Sequence, residues 1–501
     1  MGVIVRQGSK QAVVKIVGVL IGFISLLLIY PLDHASYGYA AFILSAATLL
    51  TPLLAMGLSQ SAIKFFPEYL NETSDRKGFI WILFALHLIP LLLCGIFFYF
   101  FDDSMYSLIG YMGLDVTLFR ENSSVIVIVS TLLLLYMTIT SYVSNFGRIV
   151  IPTVINEFGY KLFLPLLVLG VFYGVIQRYN IPIFMIAFYL VSLLGLFIYM
   201  VSLGVVGRKI DLSFLTFSNV KRIGKFSLYS ALGALGTLLI FRMDAVMITG
   251  LLGEVSTGLY FNILVMAAVI DIPSQAIGKI AGPIISKSFN DNNHEEIQSI
   301  YIKGSINSLI VGMLIFLGIW FNLDAIISLS SKPEAFVGAT QIFLFLGISK
   351  LIDGLTGINT HILLYSSYFK YNLLFLVFLG MLNVFLNIVL IKQYDIAGAA
   401  IATLISLTLY NIAKFLFIKV KLGISPFDIN TIKVTVIGIV VFVIMSVFPS
   451  FIYSSLVSIF IKSTIIFILF VGAIYASESS IDFNSFLLKN YKRISNLIFG
   501  A

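Results

Sequence analysis

The chain has 501 residues, 59% of them hydrophobic and only 11% charged, with a mean hydropathy of +1.05. A soluble domain carries charged residues at about 25%, so the composition excludes an ordinary soluble protein and leaves no polar stretch of the roughly 50 residues an extramembrane domain needs. The net charge of +8 is no nucleic-acid signature, because the Lys and Arg residues gather on one membrane face, and the single cysteine, Cys94, excludes an internal disulfide.

A spanning helix needs about 20 mostly apolar residues. The pattern predicts an all-α integral membrane protein with about 14 spans. They fall at 12–30, 39–65, 79–101, 123–143, 152–176, 183–205, 226–252, 259–285, 306–321, 337–365, 373–391, 396–418, 432–448 and 456–475. The first run is too long for a signal peptide and lacks a small-residue cleavage site, so it reads as a span. Glu157 and Lys161 interrupt the start of the fifth. The longest loop on the second face runs from about 102 to 122, too short for the outer domain an enzyme of glycan polymerisation would need.

Alternate inter-span segments hold Arg6, Lys64, Arg148, Arg208, Lys225, Lys287, Lys419 and Lys489, whereas those of the other face hold only Arg120, Arg178, Lys332 and Lys392. This asymmetry predicts that both termini are cytoplasmic. An internal repeat is also present. Leu32, Ser36 and Gly38 before the second span match Leu252, Ser256 and Gly258 before the eighth, at an offset of about 220 residues, and Pro52 and Pro273 follow in nearly equivalent places. A parallel repeat predicts two pseudo-symmetric lobes with a site between them. The expected division is a six-helix lobe at 1–207, a cytoplasmic linker at 208–225, a second six-helix lobe at 226–421, and two extra spans with a tail at 422–501.

Charges inside apolar runs are the candidate site residues, because a charge at bilayer depth costs about 3 kcal/mol unless it is paired or faces water. Arg242 and Asp244 lie within the seventh span, about 200° apart on a helix. Lys350 and Asp353 share a face of the tenth, where an internal ion pair and a cavity pair are both open readings. Asp271 is an isolated acid beside Pro273, fit for coupling-ion contact or for a helix break. Glu157 and Lys161 stand at i, i+4, and with Arg148 and Lys64 they can form a basic rim on the cytoplasmic side. His361 reads as structural. No nucleotide-binding lysine motif, nucleophile elbow or metal-ligand cluster occurs, so no cofactor is expected.

Several stretches resemble the bacterial polysaccharide flippase family of O-antigen and capsule type, a branch of the MOP superfamily related to MATE exporters and lipid II flippases. They are Gly22-Phe23-Ile24, Tyr37-Gly38-Tyr39, the run from Met56-Gly57-Leu58 to Lys64-Phe65-Phe66-Pro67, the run from Arg148 and Pro152 to Asn156-Glu157 and Lys161, Arg242-Met243-Asp244 with Leu252-Gly253, and Tyr394 to Gly398 and Ala402. The resemblance implies two six-helix bundles opening alternately to each side of the bacterial inner membrane. It implies a polyprenyl-pyrophosphate-linked oligosaccharide as cargo, membrane lipids as surroundings and a monomer as the working unit. Glycan-assembly enzymes are conceivable partners at 290–296. Basic residues (Arg242, Lys350, Lys161, Lys64 and Arg148) would then meet the pyrophosphate, and the acids (Asp244, Asp271, Asp353 and Glu157) would line the cavity or couple an ion. The rival within the class is an ion-coupled multidrug exporter, whose cationic cargo calls for a dominantly acidic cavity.

Overall fold

A computed structural model of the chain describes residues 17–66, 69, 78–146, 148, 150–207, 216–448, 454–485 and 487–489; the side chains of 156, 157, 229, 232–241 and 290 fall outside that description. All regular elements among these residues are helical. The principal ones are α1 (Val17–Leu28), α2 (His34–Ala55), α3 (Leu58–Lys64), α4 (Phe79–Tyr111), α5 (Val116–Ser144), α6 (Tyr160–Phe172), α7 (Ile181–Ser202) and α8 (Phe217–Leu252). There follow α9 (Glu254–Ala268), α10 (Ile272–Asn290), α11 (His294–Trp320), α12 (Ala339–Thr356), α13 (Asn359–Tyr365), α14 (Phe369–Leu422), α15 (Ile429–Ser446) and α16 (Ser455–Ala476).

Ten helical stretches among the described residues are long and apolar enough to cross a membrane. Of the expected fourteen, the first is described only from Val17 onward, as the apolar helix α1; the fifth appears as the shorter apolar helix α6 after a π-helical segment; and the seventh lies within α8, a helix of 36 residues. The eleventh and twelfth are joined in α14, whose backbone leaves helical geometry at Tyr394 and Asp395 (φ 50°). Asn383 Nδ2 lies 3.5 Å from Thr403 Oγ1, whereas residues twenty apart on one straight helix are separated by about 30 Å. The chain therefore reverses at the break, and α14 is two limbs with no loop between them.

The expected loop at 102–122 is also helical over most of its length. Helix α4 runs to Tyr111 and α5 begins at Val116, capped by Asp115, whose carboxylate accepts from the backbone N–H of Thr117 and Leu118. Polar residues there sit on helix ends, and Asp103 pairs with Arg120 at 3.6 Å. Likewise α8 starts at Phe217, capped by Thr216, so 217–225 are its first turns.

The chain packs as two compact units, Met1–Phe261 with Asn387–Ile396, and Asn262–Leu386 with Ala397–Ala501. In the first, α2 packs on α8 and α5, and α5 on α7. Its core includes Phe65, Phe66, Phe79, Tyr142 and Met200. In the second, α11 packs on α10, α12 and α15, over Ile297, Tyr301, Ile362 and Ile418. Large apolar side chains such as Leu92, Phe100, Val191 and Phe460 are exposed on these helices, the pattern of helices solvated by lipid.

The repeat seen in the sequence has a physical counterpart in the first unit. Asp33 caps α2 by accepting from the Ser36 backbone N–H and hydroxyl. The start of α2 then lies against the start of α9. A Cβ on Gly38 would overlap the carbonyl oxygen of Glu254, and a Cβ on Gly258 would overlap that of His34. His34 matches Glu254 at the same offset as Gly38 matches Gly258, so the contact is reciprocal, as a two-fold axis between repeats demands. Arg178 pairs with the Glu254 carboxylate beside it. Substituting Gly38→Val or Gly258→Val is expected to destabilise the purified protein by about 1–3 kcal/mol or more through backbone overlap. Gly195→Ala, whose new methyl meets nothing within 4 Å, is expected to leave the thermal midpoint unchanged or raise it. Equal midpoints for all three variants would disprove the crossing.

Candidate functional site

In the first unit, Arg242 is half-buried on α8. The hydroxyls of Tyr37, Tyr160 and Tyr189 all lie within electrostatic reach of its guanidinium. Tyr30 stacks on Tyr37 with ring centroids 3.9 Å apart and planes 5° from parallel. Tyr160 follows a π-helical segment, Ile155–Gly159, inside the expected fifth span. A π turn shifts the residues after it relative to an unbroken α-helix and recurs at functional sites. Among the described residues no carboxylate lies within ion-pair distance of Arg242. The result is a half-buried cation with three tyrosine hydroxyls within electrostatic reach, chemistry compatible with an anion and a sugar.

Asp244 points elsewhere, as the helical spacing requires. It is 2% exposed and accepts from Tyr260 Oη at 2.5 Å and Asn387 Nδ2 at 2.9 Å. One carboxylate thus joins α8, α9 and α14 within the unit.

The second unit has its own buried polar network. Asn411 on the second limb of α14 is its hub. It donates to Asp353 Oδ1 at 3.0 Å and accepts from Thr356 Oγ1 and Asn359 Nδ2, both at 3.0 Å. One turn on, Lys414 is fully buried and donates to Thr360 Oγ1 and, at 3.1 Å, to Tyr410 Oη. Asp271 ends the 3-10 turn Val269–Asp271 between α9 and α10 and accepts from Gln275 Nε2 at 2.9 Å. Both Asp353 and Lys350 are within its electrostatic reach. The helical stretch Glu254–Phe289 thus tightens to a 3-10 turn just before Pro273 without leaving helical backbone, and the three charges Asp271, Lys350 and Asp353 share one neighbourhood. The His361 ring rests on Gly278 and Gly282 of α10, where a methyl on Gly278 would crowd its Nε2.

Of the expected basic rim, Lys64 and Arg148 are exposed and Lys161 is half-buried. The described neighbours of Lys64 are aromatic: its ammonium lies 4.0 Å from the Phe226 centroid and 5.8 Å from that of Phe65. Glu157 falls in the π segment, and its side chain lies outside the described residues. The sequence reading missed the tyrosines around Arg242, the partners Tyr260 and Asn387, and the group Tyr410, Asn411 and Lys414. A usable signal exists for the last, since three polar residues within one turn interrupt an otherwise apolar span.

The comparisons give the class first. The fold is similar to that of solved transporters of the MOP superfamily. The lipid II flippase MurJ in an inward closed conformation superposes with a TM-score of 0.67 over 95% of this chain and 100% of that chain, at 13% identity. An inward-facing multidrug resistance MATE family transporter gives 0.60 over 82% and 98%, at 14%. A MOP superfamily transporter of Pyrococcus furiosus Vc1, described as having a binding pocket of reverse polarity that suggests a different function, gives 0.51 over 84% and 95%, at 14%. A particular relative stands beside them. The probable low-salt glycan biosynthesis flippase Agl15 of Haloferax volcanii is 25% identical over 236 residues, 45% of this chain and 49% of that protein, so the match spans about half of each. No family model matches the chain.

Asp244→Leu leaves two buried donors without their acceptor and is expected to destabilise by about 2–5 kcal/mol. Asp244→Asn keeps one acceptor oxygen and is expected to lose clearly less. Thermal unfolding in detergent checks the order, and a Leu variant as stable as wild type would refute the buried contact.

Proposed function

We propose that the protein is a flippase that moves a polyprenyl-pyrophosphate-linked oligosaccharide from the inner to the outer leaflet of the bacterial cytoplasmic membrane, by alternating access, for surface polysaccharide assembly. The observation that carries this reading is Arg242, a half-buried cation inside an apolar run, with the hydroxyls of Tyr37, Tyr160 and Tyr189 within electrostatic reach and no carboxylate within ion-pair distance among the described residues. Arginine matches phosphate oxygens bidentately, and tyrosines offer a glycan both ring faces and hydroxyls. The partial relative Agl15, a probable glycan biosynthesis flippase, supports the same class of cargo. In this reading, residues 1–207 and 226–421 are the alternating lobes, both termini are cytoplasmic, and Lys350 belongs to the cargo path. Asp271 and Asp353 are then coupling acids, and no enzymatic step is needed.

The multidrug-exporter reading draws on the MATE-like fold and on the buried acids. Against it, both oxygens of Asp244 already accept hydrogen bonds from Tyr260 and Asn387, and the half-buried charge beside the tyrosines is positive.

Deleting the gene in its native host is expected to abolish surface glycan and to accumulate lipid-linked oligosaccharide on the cytoplasmic side. Wild type restores the glycan, whereas Arg242→Ala, inserted at normal levels, restores less than about a tenth, the loss expected when a charged hydrogen-bond partner of a buried group is removed. Unchanged surface glycan with lowered resistance to cationic dyes would establish the exporter instead.

A further inference from the structure

Helix α4 is held differently along its two halves. Before Pro90 it buries Phe79, Ile80, Ile82, Leu83 and His87; after Pro90, through Tyr111, it buries only Tyr106. A proline inside a helix removes a backbone hydrogen bond and crowds the turn before it, so the direction of a helix can change there. The second half of α4 stands over a cleft whose other walls are α2, α5 and α8. Two cavities, of about 400 and 360 Å³, occupy the cleft and share Phe98, Ser123 and Val127 as lining. On α4 the lining residues Leu91, Cys94, Phe98, Asp102, Met105 and Ile109 recur every three or four positions and so form one stripe. From Leu91 to Ile109 that stripe is about 27 Å long.

The cavity against α8 offers few hydrogen bonds. Its lining carries two hydroxyls, those of Tyr106 and Ser123, and Ser123 already donates to the Arg120 carbonyl oxygen at 2.9 Å. A sugar or a phosphate would be left unsatisfied there, whereas a hydrocarbon chain needs no partner. Met105 and Met243, flexible and polarisable, let the lining follow an irregular, methyl-branched chain. Membrane lipid tails are equally apolar, so burial by itself does not select the occupant. The two ends of the cleft do. Met243 directly follows Arg242, and Val246 lies one turn beyond it on the same side of α8, so a chain in the cleft reaches α8 next to the phosphate contact of the flippase reading. At the mouth, Asp102 lines the cleft, and Asp103 pairs at 3.6 Å with Arg120, whose guanidinium lies 4.7 Å from the Tyr106 ring centroid. Two carboxylates against one guanidinium disfavour the phosphate of an anionic phospholipid there. A chain entering from Arg242 brings no charge to that end.

We propose, resting on the flippase reading above, that this cleft holds the prenyl chain of the cargo while Arg242 takes its pyrophosphate. The second half of α4, with little of its surface buried, is the wall that admits the chain from the bilayer.

The test uses the full-length protein in phosphatidylcholine nanodiscs, with farnesyl pyrophosphate carrying a diazirine at its tail end as a photo-crosslinking probe. Wild type is expected to yield adducts within residues 91–109 of α4 and at Met243 or Val246. Unlabelled farnesyl pyrophosphate is expected to compete them away, and phosphatidylethanolamine and phosphatidylglycerol to leave them. Gly95 lines the cleft, and a methyl on it meets nothing within 4 Å, so Gly95→Phe places a ring in the cleft. This variant is expected to keep the wild-type thermal midpoint, to lower the adduct yield at least ten-fold, and to slow rescue of surface glycan in the deletion host several-fold. Gly195→Phe, at an exposed and equally open position on α7, is expected to change none of the three. Wild-type adduct yield in Gly95→Phe, or wild-type adducts mapped to other helices, would overturn the cleft and leave the flippase reading standing on Arg242→Ala. Equal competition by either phospholipid would make the cleft a general lipid groove and overturn the prenyl assignment. No adduct anywhere on wild type would remove the prenyl cargo, and with it both readings.

Discussion

A polar group held at bilayer depth has no water to turn to, and that constraint shapes each unit around its charges. Asp244 needs Tyr260 and Asn387, which ties three helices to one carboxylate. Asp353 needs Asn411, whose amide oxygen is in turn filled by Thr356 and Asn359. Each network satisfies its members with neutral donors and acceptors in place of a contact ion pair. Neutral partners can exchange one hydrogen bond for another without leaving a bare opposite charge behind, whereas breaking a buried ion pair strands its survivor at a cost of about 3–5 kcal/mol. If the chain rearranges its helices as the proposed function requires, that difference favours neutral partners.

The close helix contacts follow from the same lack of water. Without a hydrophobic drive between lipid-solvated helices, close association depends on backbones that can approach. Gly38 and Gly258 let α2 and α9 meet backbone to backbone, and Gly57 does the same for α3 and α8. The first two are the glycines that mark the repeat. The repeat is therefore a packing requirement as much as a trace of duplication: each copy must supply the small residue that the other copy's carbonyl faces.

Much of this was legible in the sequence because helix formation in a membrane is local. Apolar runs of sufficient length located the helices, and the matched Leu32, Ser36 and Gly38 marked the repeat whose two copies turn out to cross there. Helix ends were misplaced where polar residues extend helices, as at Asp102 to Asn122, since a capping aspartate such as Asp115 leaves no mark in hydropathy. The joined limbs of α14 were separable by length but not by any loop composition. Partners were not legible at all. Asn387 is 143 positions from Asp244, and no periodicity links them. Lys414 sits one turn inside the expected end of its span, where a lysine ordinarily snorkels; only tertiary packing buries it. The tyrosines within electrostatic reach of Arg242 come from α2, α6 and α7 and follow a π turn, which no residue pattern announces.

A shared fold leaves the cargo undecided, because the MOP fold holds both lipid flippases and drug exporters. What separates such proteins physically is the sign of the charge left unspent. An acid whose oxygens are already bonded offers little to a cationic drug, because Tyr260 and Asn387 would first have to give up their hydrogen bonds to it. An arginine with tyrosine hydroxyls within electrostatic reach and, among the described residues, no carboxylate within ion-pair distance has the opposite disposition: in the flippase reading, an arriving phosphate would gain charge-assisted hydrogen bonds without first breaking an ion pair.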